Sequence, residues 1–171
     1  LESLLVAAMT GERGGEPPST PATREGPAPF GGTGWIPGDP RDYDREYAVD
    51  LAQLAAFLCA TQPEVAAALD LDHDSPTRRK FLARLQGEVT KRGIIDVLRK
   101  GVKHGPHSLD LFYGAPSPSN VKAAERFAAN RFSVTRQLRY TRDETRLALD
   151  LCLFINGLPV ATFELKNSLT K

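Results

Sequence analysis

The sequence predicts an α/β or α+β domain, with helices in its first part and a helix-edged mixed β-sheet in its second. Three observations carry this. Residues 43–100 return their apolar side chains at helical spacing. From residue 103 onward the period falls to two, most plainly over residues 131–140. Near the end, Asn156-Gly157 joins two apolar runs, which is the strongest short-range hairpin signal a sequence offers. At 171 residues, with 41% hydrophobic and 25% charged content, the chain is long enough for one domain with one core.

Taken in order, residues 1–10 form a short amphipathic helix, with Leu4, Leu5 and Ala8 at helical spacing. Residues 11–40 hold eight Gly and seven Pro, which excludes a helix or a central strand and implies a long loop or disordered insertion. Trp35 is placed to pin its end to the core. Residues 43–58 read as a helix with Tyr47, Leu51, Leu54, Ala55 and Leu58 along one face. Thr61-Gln-Pro-Glu64 reads as a capping box that opens a helix to about Leu69. Ser75-Pro76 opens a helix through Lys91 with Phe81, Leu82, Leu85 and Val89 inward, and residues 94–100 continue as another after Gly93. Residues 108–113 read as a strand and 114–118 as a turn. Ser119 caps a helix through Ala129, and Asn130 takes the left-handed closing position. Over residues 131–140, Phe132, Val134, Leu138 and Tyr140 share one face, while Arg131, Ser133, Thr135, Gln137 and Arg139 share the other. Residues 142–145 form a turn. Both strands of the final hairpin are apolar on both faces, which implies central strands covered by helices.

No apolar run approaches the ~20 residues that cross a bilayer, and no signal peptide is evident. Cys59 and Cys152 both lie in apolar runs and read as buried free thiols of a reducing, cytoplasmic protein. The formal net charge is only +1, but it is unevenly spread. Residues 39–74 hold nine acids against two basic residues; residues 78–103 hold nine basic residues against Glu88 and Asp96. The second run, with Arg78, Arg79 and Lys80 at its head, suits phosphate contact, and a solvated helix face is its plain alternative. Asp72-His73-Asp74 has metal-ligand residue types but reads as a solvated linker, and His104 and His107 read as neighbours of the basic run.

The chemistry concentrates in residues 150–166, DLCLFINGLPVATFELK. Glu164 and Lys166 share a strand face because alternate side chains do. An acid among Leu, Phe and Val must be paired, protonated or metal-bound. Asp150, Glu164 and Lys166 therefore make a candidate site for a hard cation and the oxygen nucleophile it activates, a buried ion pair being the alternative. Register decides whether the acids meet. A plain two-residue turn pairs Ile155 with Leu158, sets Asp150 opposite Phe163, and turns the acids to opposite faces. A three-residue turn, or a bulge further into the hairpin, brings them to one face.

The phrase in residues 150–166, together with residues 130–140 (NRFSVTRQLRY) and 111–118 (LFYGAPSP), resembles the PD-(D/E)xK nuclease core. In wording it is most similar to the amino-terminal nuclease domain of the type I restriction enzyme R (motor) subunit, over roughly residues 42–171. That resemblance implies the restriction-endonuclease-like fold and an Mg²⁺-dependent endonuclease acting on double-stranded DNA. It implies a nuclease domain over 41–171, with a helical part at 43–100 and a sheet part at 103–166, cut short at its carboxyl end. By the same resemblance Asp150, Glu164 and the Leu165 carbonyl hold the metal, Lys166 assists the attacking water, and Glu2 is an additional candidate ligand. Arg136, Gln137 and Arg139 join Arg78, Arg79 and Lys80 as candidate DNA contacts. The partners implied are DNA and the modification and specificity subunits, with no membrane. ATP belongs to the motor of the full subunit; no Gly-rich phosphate loop is present in this sequence. The other readings are a standalone, resolvase-like nuclease and a module that binds DNA or subunits without cutting.

Overall fold

A computed structural model describes residues 1–11, 34–117, 119–141 and 147–166. The expected loop or disordered insertion lies for the most part outside these residues, as does the turn at 142–145. Among the described residues no helix is long and apolar enough to cross a membrane.

The chain is a mixed α/β structure, with helices concentrated in the first half. Helix α1 (Glu2–Thr10) is followed by a two-residue strand β1 (Ile36–Pro37), a 3-10 turn (Pro40–Asp42) and a small ladder of β2 (Tyr43–Asp44) with β3 (Val49–Asp50). Helices α2 (Leu51–Thr61), α3 (Pro63–Leu69), α4 (Pro76–Arg92) and α5 (Ile94–Lys100) come next. A short hairpin of β4 (Val102–His104) and β5 (His107–Leu109) leads to α6 (Val121–Ala128) and to three longer strands, β6 (Phe132–Leu138), β7 (Leu149–Ile155) and β8 (Leu158–Phe163). The main sheet has the order β1-β6-β7-β8, with β1 parallel to β6 and the other pairs antiparallel. Trp35 does pin the end of the Gly/Pro-rich stretch, packing edge-on to Phe132 at 5.7 Å.

Several boundaries differ from the sequence expectation. The helix expected from residue 43 begins at Leu51, because Asp50 takes the cap and accepts the Gln53 amide at 3.0 Å. The capping box does not form. Thr61 ends α2 and donates its hydroxyl back to the Phe57 carbonyl at 2.8 Å. The Gln62 side chain instead holds the backbone of Asp110, donating to its carbonyl at 2.8 Å and accepting its amide at 3.1 Å. Asn120, not Ser119, caps α6. Residues 110–113 are not a strand. Ser75 caps α4 as expected. Cys152 is buried, but Cys59 is exposed on α2; both thiols are free.

The main core joins Leu54, Phe57 and Leu58 of α2 to Phe81, Leu82 and Leu85 of α4, Val97 of α5, Leu109, Leu111 and Leu158. Burying each of these large side chains is worth roughly 1.5–3 kcal/mol. The i,i+4 ion pairs along α4 and α5 are worth about 0.3–0.5 kcal/mol each. The helices are therefore held by their apolar faces. A smaller cluster of Leu138, Cys152 and Phe154 packs with Tyr43, whose ring stands 5.9 Å from that of Phe154.

The β7–β8 turn sits inside the main core. Asn156 is fully buried, and its side chain is saturated by chain groups. Its Oδ1 accepts the Arg131 amide at 2.6 Å; its Nδ2 donates to the Leu111 carbonyl at 2.9 Å and to Asn130 Oδ1 at 3.0 Å. Asn130 does not take the left-handed closing position. Its amide pairs with both backbone groups of Tyr113. Gly157 has φ 81°, and a Cβ there would lie 2.4 Å from the Asp50 carbonyl oxygen and 2.6 Å from the Leu54 nitrogen, so only glycine fits.

Two predictions follow from this packing. Asn156→Ala leaves two backbone groups, the Arg131 amide and the Leu111 carbonyl, without this partner, at roughly 1–3 kcal/mol each, so urea unfolding should show a loss of at least about 2 kcal/mol. Asp50, desolvated by burial beside Asp42 and Asp39, has its pKa pushed up from 3.8 to about 6. The folded state therefore holds that proton longer than the unfolded chain, and stability drains away as pH rises from about 4 through about 6. Asp50→Asn keeps the cap and removes the titration. The stability difference between variant and wild type should grow across that window, reaching roughly 3 kcal/mol, and should be flat above it.

Candidate functional site

The hairpin begins as a plain two-residue turn. Asn156 and Gly157 both have positive φ, 51° and 81°, and Ile155 pairs with Leu158. Continued without interruption, that register would separate Asp150 from Glu164. It does not continue. Phe154 still pairs with Pro159, but Leu153 pairs with Ala161, so Val160 is an extra residue in β8. The bulge falls beside Pro159, and bulges and edge strands are where a sheet tolerates proline. Beyond it Cys152 pairs with Thr162 and Leu151 with Phe163. The same register sets Glu164 opposite Asp150, on one face. The Leu165 amide donates to Asp150 Oδ2 at 2.5 Å, closing the junction just past the end of β8.

The environment differs from the expectation. Asp150 is half-buried, Glu164 and Lys166 are exposed, and Leu165 is intermediate. Glu164 is therefore not the buried acid expected: β8 is an edge strand among the described residues, not a central one, and residues 164–166 lie beyond its last ladder pair. A buried ion pair is absent too, since Lys166 makes no salt bridge to Asp150 or Glu164. What remains is a pair of carboxylates on one face, flanking a backbone carbonyl and open to water. Among the described residues no group of three His, Cys, Asp or Glu is close enough to hold a metal ion. The two carboxylates and the Leu165 carbonyl are hard oxygen donors, the kind that suits a partly hydrated Mg²⁺.

On the other side of Asp150 lies β6. Arg136 pairs with Leu151 and Leu138 with Leu149, so Gln137 stands between these pairs, opposite Asp150. Gln137 has φ 50°, a left-handed backbone inside a strand. Its amide donates to Glu2 Oε2 at 2.8 Å, and the neighbouring Arg136 donates to Ser3 Oγ at 2.8 Å. The expected polar face of this strand is divided: Ser133 and Thr135 are buried and Arg131 is half-buried, whereas Gln137 and Arg139 are exposed, as is Arg136 of the other parity. Nothing in a single sequence signals the left-handed residue; Pro159 was the available signal for the bulge.

The basic run is largely matched by its own acids. Arg79 and Arg78 both meet Asp74, at 2.5 and 2.9 Å, and Arg79 foremost holds that carboxyl down at about 2. Arg84 and Arg92 flank Glu88, and Arg92 and Lys100 flank Asp96. Lys80, Lys91, Arg99 and Lys103 are exposed and have no ion pair to a described residue. His73 pairs with Asp70 at 2.7 Å in the exposed linker, and His104 packs on the Phe81 ring at 5.6 Å.

No curated protein and no solved structure matches the chain. One family model does match, over residues 68–171, which is more than half of the sequence and takes in α4 through the Asp150–Lys166 hairpin. The chain belongs to the family described as the type I restriction enzyme R protein N terminus.

Proposed function

We propose that this chain is the Mg²⁺-dependent endonuclease domain of a type I restriction enzyme R subunit, cleaving phosphodiesters of double-stranded DNA on a PD-(D/E)xK core. The observation that carries the reading is the Val160 bulge, which returns Glu164 to the face of Asp150. Family membership supports the restriction setting. In this reading Asp150, through its free oxygen, and Glu164 hold the cation with the Leu165 carbonyl, and the Leu165 amide keeps Asp150 aimed. When bound, Mg²⁺ supplies polarisation of the scissile phosphate and a water of lowered pKa. Lys166, exposed and unpaired by either acid, orients that water or stabilises the charge that develops on the phosphoryl oxygens. Residues 41–171 are the nuclease domain, working in the cytoplasm. ATP is used by the motor of the full subunit, and the modification and specificity subunits complete the assembly.

Asp150→Ala and Glu164→Ala in the assembled enzyme should each lower plasmid cutting by at least about a hundredfold, while ATP hydrolysis and translocation continue. Linearisation at the wild-type rate in either variant rules the assignment out.

The ion pairs sharpen what the basic run does. Lys80 is free to meet a phosphate, whereas Arg78 and Arg79 are engaged by Asp74. Lys80→Ala should lower the log–log salt slope of DNA binding by about 0.9, the value for one lost phosphate contact. Asp74→Ala should release the exposed Arg79 guanidinium, tightening binding and steepening the slope. Salt titrations identical to wild type in both variants would leave the run a solvated helix face.

A further inference from the structure

We propose that Gln137 is a positioning residue: it docks α1 against β6 and so keeps the Glu2 carboxylate on the face that carries Asp150 and Glu164. The consequence for cation binding rests on the function proposed above; the docking does not. The other non-glycine residues with positive φ among the described ones, Ala48, Asp70 and Asn156, lie in turns or at a helix end, where such a conformation is ordinary. Gln137 alone of these lies within a strand. In a regular strand, consecutive side chains point to opposite faces. Arg136 and Gln137 instead both stand exposed and reach consecutive residues of one helix, Ser3 and Glu2. The left-handed residue is what permits this, since it breaks the alternation at the one point where the strand passes α1.

Apolar burial is slight at the first turn. Helix α1 buries only Thr10, at its far end, while Leu1 and Leu4 are each 73% exposed. Further along the helix Val6, Ala7 and Met9 are half-buried. The first turn of the helix is thus held by side-chain hydrogen bonds, and the bond that fixes Glu2 comes from the residue opposite Asp150. Glu2 is not a member of a three-acid cluster close enough to hold a metal. It acts from the next position out, as a negative charge whose place depends on the Gln137 amide.

The test compares three variants of this chain with wild type, reading amide hydrogen exchange of residues 2–10 and the affinity for Mn²⁺. Gln137→Gly accepts the left-handed backbone and deletes the amide. It should speed exchange of α1 by about fivefold, the worth of one such hydrogen bond, and weaken Mn²⁺ binding by a few-fold. Glu2→Gln keeps an acceptor for the Gln137 amide but removes the charge, so exchange should stay slow while Mn²⁺ binding weakens. Gln137→Asn tolerates the same backbone with a shorter reach and should fall with Gln137→Gly. Unchanged exchange in Gln137→Gly would overturn the docking. Unchanged Mn²⁺ affinity in Glu2→Gln would overturn the assignment of that charge to the site. Asp150→Ala, run alongside, separates the two layers. If it binds Mn²⁺ as wild type does, the cation reading itself has failed, and the exchange data still decide whether Gln137 holds α1.

Discussion

The fold depends on one buried side chain. Asn156 sits at the closed end of the β7–β8 hairpin with no exposure, and its amide ties together the start of β6, residue 111 and Asn130. A buried amide left without partners costs more than most single contacts return, so these segments are fixed as a set. Gly157 completes the joint: its carbonyl accepts the Asp50 amide at 2.8 Å, and its missing side chain admits the first turn of α2. The helical half and the sheet half are thereby joined at a hairpin turn, an element usually found at the surface.

With the closed end locked, the open end of the same two strands is where chemistry can be exposed without loosening the core. Asp150 and Glu164 lie there, six and seven residues from the turn, past the bulge. The hairpin thus has a dry end that fixes its position and a wet end that carries its charges. The sign of those charges matters to any phosphate-bearing partner. Acids occupy the open end of the hairpin beside a single cation, Lys166, and further cations with no ion pair to a described residue lie on other elements, Lys80 on α4 and Arg99 on α5 among them.

Much of this was legible in the sequence, and the reasons for the rest are specific. Asn156-Gly157, Ser75-Pro76 and the apolar faces of α2 and α4 act locally, through backbone conformation, capping and period, and they formed as read. The Thr61 capping box failed because Gln62 found a partner 48 residues away in Asp110, which no local pattern reveals. Cys59 lies in an apolar run yet faces solvent, since a helix needs only one buried side. The register of the acids could be framed as alternatives but not chosen, because the choice turned on one extra residue beside Pro159. Gln137 was legible as a polar strand residue; its side-chain partner, Glu2, lies 135 residues earlier in the chain, beyond any local pattern.

The bulge in β8 has an effect beyond the alignment of two carboxylates. Among the described residues β8 borders the sheet, so its outer row of amides and carbonyls has no neighbouring strand. Such a row is a template on which another chain can add itself. Pro159 deletes one donor from that row, and the extra residue at Val160 twists the strand out of a flat repeat. Glu164 and Lys166 then place opposite charges at its exposed end. The border is thus hard to extend, and the strand is guarded against edge-to-edge association by the same irregularity that sets its register.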